Sequence, residues 1–126
     1  MTKSQSKKIL FVCTGNTCRS PMAEIIFKAL SKKNNLTDFK ASSAGIFAQK
    51  EPINPNAKQA LKELGYTPPK SKQSKLLTHA MLKNSDYVFT MTSDQKAYLQ
   101  PYAKQVYSMQ DVLGYDISDP YGSDLD

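Results

Sequence analysis

The stretch Ile9-Leu10-Phe11-Val12 runs without a break into Cys13-Thr14-Gly15-Asn16-Thr17-Cys18-Arg19-Ser20 and then Pro21, and this succession constrains the fold most. Consecutive apolar residues bounded by a Gly-Asn turn read as a strand buried on both faces. The Ser-Pro pair that follows opens a helix, since proline is tolerated in a first helical turn. A turn from strand to helix points consecutive backbone N–H groups into one concavity, and the helix terminus adds partial positive charge. Such a loop is built to hold an anion, phosphate first among them.

Two side chains of this loop carry chemistry. Cys13 closes the strand at the base of the concavity, where oriented N–H dipoles, a nearby Arg and the helix terminus favour thiolate over thiol. Arg19, six residues on, offers a planar fork of donors to two oxygens of a bound oxyanion, which Lys cannot do. Cys13 is thus placed as a nucleophile and Arg19 as a clamp. The Ser20 hydroxyl is within the loop's reach of the Cys13 sulfur, and Gly15 and Asn16 suit corners of positive φ. Cys18, near the first helical turn, reads either as a small packing residue or as a redox partner of Cys13, forming a protective disulfide.

From Val12 to Glu24 the chain closely resembles the signature of the low-molecular-weight protein tyrosine phosphatases, and Ser43-Ala44-Gly45 and Asp119-Pro120-Tyr121-Gly122 look like later landmarks of that family. The resemblance implies a cysteine-dependent phosphatase with a phosphocysteine intermediate, no metal and no cofactor, acting on phosphorylated proteins. It makes Asp119 the general acid that protonates the leaving group and then the base that activates water. An Asp-Pro-Tyr-Gly turn suits that task, because it holds a carboxyl on a rigid corner. It also makes Thr14 to Ser20 the phosphate-binding loop, supported by Ser43. Phe47 and Tyr121 are candidates for aromatic walls flanking a flat phosphorylated side chain. Thr17 resembles the bacterial branch that removes phosphate from phosphoarginine, where eukaryotic members are bulky and apolar. Phosphotyrosine is the general activity expected and phosphoarginine the subtype. Family members carry a His a few residues before a Leu-Thr-like helix start; here Lys72 or a neighbour stands in that stretch.

Strand and helix signals alternate along the whole chain. Strands are expected at 7–13, 39–44, 87–91 and 105–107, with helices at 21–30, 54–64, 78–83 and 94–99. The alternation predicts an α/β fold, a single three-layer domain with a twisted, four-stranded parallel sheet flanked by helices on both faces. The ligand would lie at the carboxyl end of the first strand, where Cys13 is. His79, the only histidine, is expected on a helix surface. With 126 residues and 40% apolar content, residues 1–126 are expected to form one phosphatase domain. The chain stops seven residues past Asp119, where family members continue into a further helix. The resemblance therefore predicts that this helix is lacking, with exposed apolar surface and weak homodimerisation as consequences.

Composition excludes several classes. The amino terminus is polar and no apolar run could span a membrane, so a cytoplasmic location and no membrane partner are expected. Two cysteines five apart are not a disulfide framework, and with one His they exclude a zinc site. A net charge of +6 invites nucleic acid, but the lysines are scattered, with no recognition-helix pattern or interleaved stacking aromatics, so no nucleic-acid partner is expected. Two alternatives remain. An arsenate reductase shares such a loop but passes oxidation through further cysteines. A catalytically weak phosphoprotein-binding module would need neither thiol nor acid.

Overall fold

The computed structural model describes residues 7–16, 18–36, 38–69 and 72–115. Four strands, β1 (Lys7–Cys13), β2 (Phe39–Gly45), β3 (Tyr87–Thr90) and β4 (Val106–Ser108), form one sheet in the order β2-β1-β3-β4. Every pairing is parallel. The helices are α1 (Arg19–Lys33), α2 (Pro55–Glu63), α3 (His79–Asn84), α4 (Ser93–Leu99) and α5 (Met109–Leu113), with a 3-10 turn at Gln100–Tyr102.

Alternation along β1 divides its side chains between two cores. Leu10 and Val12 join Ala44, Val88 and Val106 on one face, under Leu82 of α3 and Leu99 of α4. Ile9, Phe11 and Cys13 join Ala41 and Met91 on the other, against Ala23 and Phe27 of α1 and Met109 of α5. Because both faces are covered, β1 is central and apolar throughout its second half. Truncating Leu10 to Ala would cost about 2–5 kcal/mol. A third cluster, Ile25, Ile53, Ala57 and Leu61, ties α2 to the outer side of α1.

The four-stranded parallel architecture agrees with the sequence reading, with small shifts. Helix α1 begins at Arg19 rather than Pro21, so that Pro21 falls within the first turn, where it displaces no ladder bond. Helix α2 ends as expected, with Gly65 at a φ of 93° after the Leu64 cap. The last strand lies one residue later than expected, and α5 was not anticipated. Its start is closed by a reciprocal pair between Ser108 and Asp111, a short-range signal present in the sequence. His79 opens α3 at the surface, edge-on to the Tyr102 ring.

Candidate active site

Cys13 is the last residue of β1 and Arg19 the first of α1, so the loop between them stands at the carboxyl end of the central strand. The side chains of Cys13, Asn16 and Ser20 are all buried there, and Arg19 is 9% exposed. Asn16 takes the left-handed conformation expected for it, with φ 56°. This corner turns its backbone N–H back onto the Cys13 sulfur, at 3.2 Å. Ser20 Oγ lies 2.9 Å from the same sulfur.

The direction of that second contact follows from its neighbours. The backbone N–H of Lys75 donates to Asn16 Oδ1 at 2.8 Å, which fixes the amide so that Nδ2 donates to Ser20 Oγ at 2.7 Å. An amide nitrogen only donates, so the Ser20 oxygen is the acceptor there and its one hydrogen is left for Cys13. Two donors therefore converge on the sulfur.

Strand β2 supports the loop from the side. Cys13 pairs with Gly45 in the sheet register, and beyond it the Ile46 and Phe47 N–H groups donate to the carbonyls of Cys13 (3.0 Å) and Thr14 (2.9 Å). A Cβ on Gly45 would lie 2.6 Å from the Thr14 carbonyl oxygen and 2.9 Å from the Asn16 nitrogen, so only glycine lets the strand and the loop approach this closely. Ser43 bonds the helix that follows the loop. Its hydroxyl donates at 2.6 Å to Glu24 Oε1, on α1.

Glu24 is a residue to which sequence reasoning gave no role. It is 3% exposed and also accepts from Lys28 at 2.6 Å and from Lys72. Burial pushes its carboxyl up, but the Lys28 and Lys72 ammonium groups and the Ser43 hydroxyl outweigh it and hold the group below its ordinary value. Lys72, singled out as standing in place of a family His, therefore reaches the supporting shell through Glu24. The i,i+4 spacing of Glu24 and Lys28 was the available signal. Gln95 was also missed; its side chain crosses from α4 to donate to Thr14 Oγ1 at 3.1 Å.

Cys18 is half-buried and packs with Met22, Ile26 and Tyr66 against the cluster between α1 and α2. Cys13 and Cys18 are not joined in a disulfide. Phe47, whose own N–H bonds the loop, has its side chain at the surface and is 74% exposed. Thr17, Asp119 and Tyr121 lie outside the described residues.

A parallel α/β sheet whose central strand delivers a hydrogen-bonded thiol to an anion loop at a helix start defines a class of proteins built to meet oxyanions with a cysteine. Within it, residues 8–126 match the description "Low molecular weight phosphotyrosine protein phosphatase", and the chain belongs to that family. A protein-arginine-phosphatase of Bacillus subtilis (strain 168) is 36% identical over 94% of this chain and 82% of its own length. The solved structure of the low molecular weight protein tyrosine phosphatase from T. tengcongensis superposes with a TM-score of 0.83 at 41% identity, covering 93% of this chain and 84% of that one. An arsenate reductase of Staphylococcus aureus (strain Newman) is 40% identical over a shorter span, 75% of this chain and 64% of its own.

Proposed function

We propose that this chain is a cysteine-dependent protein phosphatase, with Cys13 as nucleophile, Arg19 as clamp and Asp119 as general acid and base. The observation that carries the reading is the convergence of the Asn16 N–H and the Ser20 hydroxyl on the Cys13 sulfur within the loop. In the first step the thiolate attacks phosphorus, an S–P bond forms, and the bond from phosphorus to the leaving atom breaks. Asp119 gives that atom its proton. In the second step Asp119 takes a proton from water, the oxygen attacks phosphorus, and the S–P bond breaks to return thiolate and inorganic phosphate. Ser20, donating to the sulfur, stabilises the thiolate at both ends of the cycle. Thr14 to Ser20 hold the phosphoryl oxygens, Ser43 supports the loop through Glu24, and Phe47 and Tyr121 flank the side chain being dephosphorylated.

The substrates are phosphorylated proteins. Phosphotyrosine is the general activity, and phosphoarginine is favoured as the subtype by Thr17 together with the similarity to a protein-arginine-phosphatase over 94% of the chain. Arsenate reduction is disfavoured because the chain holds two cysteines, both in this loop, and no third thiol to receive the oxidation.

The test is phosphate release from para-nitrophenyl phosphate, a phosphotyrosine peptide and a phosphoarginine peptide, with Cys13→Ser and Asp119→Ala in parallel. Turnover lost in Cys13→Ser and reduced in Asp119→Ala is expected. Phosphopeptide binding without turnover, or thioredoxin-dependent arsenate reduction, would replace the reading with one of its rivals.

A further inference from the structure

Gln95 makes more hydrogen bonds than its place in α4 requires. Its Oε1 accepts the backbone N–H groups of Met91 at 3.0 Å and Thr92 at 3.1 Å, while its own backbone N–H donates to Thr92 Oγ1 at 3.3 Å. Those bonds complete the helix start. They also fix the amide: turning it over would set the NH2 group against two N–H donors. Its Nε2 is thereby aimed at Thr14 Oγ1, 3.1 Å away and 81 positions distant in sequence. Gln95 is 8% exposed, so this orientation is held from within the fold.

The consequence falls on Thr14, which follows Cys13 directly and is exposed on the loop. Its carbonyl is occupied by the Phe47 N–H. Its hydroxyl oxygen accepts from Gln95, so the hydroxyl hydrogen is left to donate elsewhere. We propose that Thr14 donates this hydrogen to an oxygen of the bound phosphoryl group, and that Gln95 is the positioning residue that sets the hydroxyl in that role. The inference rests on the phosphatase reading above and adds a substrate contact by the Thr14 hydroxyl, set from the first turn of α4.

Gln95→Glu separates the two jobs of the side chain. The introduced carboxylate still accepts both backbone N–H groups, so the helix start survives. Its second oxygen is an acceptor where Nε2 was a donor, so Thr14 donates to it and is lost to the substrate. Thr14→Val removes the hydroxyl at nearly constant shape, on an exposed residue whose replacement leaves the core intact.

The experiment measures kcat and KM on the phosphotyrosine and phosphoarginine peptides for the unaltered chain, both variants, their combination and Thr14→Ser, with thermal melting alongside. A hydrogen bond made equally to substrate and transition state enters as KM. Each single variant is expected to raise KM about tenfold with kcat within about twofold, since one bond to a charged oxygen is worth that much. The combination is expected to be no worse than Thr14→Val alone, and Thr14→Ser to keep the unaltered KM. Melting temperatures are expected to stay within about 3 °C of one another. Simple repulsion by the new carboxylate would instead multiply the losses in the combination, and would overturn the proposal. So would an unchanged KM in Thr14→Val, whatever the folding of Gln95→Glu. No turnover by the unaltered chain would remove the phosphatase reading and this inference with it, whereas turnover indifferent to both variants removes this inference alone.

Discussion

Helices α1 and α4 both start beside the loop that carries Cys13, and they start differently. Helix α4 is closed by a full reciprocal cap: the Thr92 side chain accepts from Gln95 and the Gln95 side chain answers. Helices α2, α3 and α5 are likewise capped, by Asn54, Thr78 and Ser108. Among the described α-helices, α1 alone takes no cap from the side chain of its N-cap residue, Cys18, although it is the longest, with 15 residues. Capping by an N-cap side chain contributes about 1 kcal/mol, and the Cys18 thiol does not supply it. The positive end of this helix is turned toward the loop, a setting that favours an anion. The contrast lies in the N-cap side chain, an oxygen acceptor at α2 to α5 and a thiol at α1, next to the proposed site.

The largest effect is expected at Arg19, the proposed clamp. Arg19→Lys keeps the charge but loses the two-pronged fork, and kcat/KM is expected to fall by about a thousandfold, with the far-ultraviolet spectrum unchanged. A loss below about tenfold would mean that the helix start binds the anion without the clamp.

Next comes the charged support under α1. Glu24→Ala leaves the Lys72 ammonium, 11% exposed, without its buried partner. A stability loss of about 3–5 kcal/mol in denaturant unfolding is expected. Glu24 also sets a pH dependence. Its folded value is depressed below the ordinary 4.5, so its contribution is fully present above that value and is lost as pH falls through the folded value. The stability gap between the unaltered chain and Glu24→Gln should therefore be widest near about pH 7 and narrow toward about pH 3. A gap that widens on acidification would contradict the assignment.

Giving α1 an oxygen acceptor at its N-cap sharpens the comparison. Cys18→Asp supplies α1 with a carboxylate cap, and inorganic phosphate should then inhibit about tenfold more weakly, a difference of about 1.4 kcal/mol. Thr92→Ala opens the closed helix and is expected to cost about 1 kcal/mol of stability. If Thr92→Ala weakened phosphate inhibition as much as Cys18→Asp, the two starts would not differ in function.

Much of this was legible in the sequence because it is local. The run Ile9–Val12, the Gly-Asn turn and Pro21 mark a strand, loop and helix start within a short stretch, and Cys13, Asn16 and Ser20 meet because that unit brings them together. Helix α5 was equally local in its Ser108–Asp111 cap, but it is five residues long and shows too little apolar periodicity to be read. Contacts between distant segments were not legible. Nothing near Glu24 in the chain announces Lys72, 48 positions away, and nothing near Thr14 announces Gln95.

The sequence by itself determined the alternation of the four strands with the first four helices and the place of the thiol at a strand end, because side-chain periodicity and turn chemistry act over a few residues. The tertiary structure alone decided which backbone presses on the loop and which side chains steady it. The register that sets Cys13 beside Gly45 brings a strand so close to Thr14 and Asn16 that a Cβ would not fit. That closeness arises from packing two segments of the sheet side by side, a condition no single segment contains.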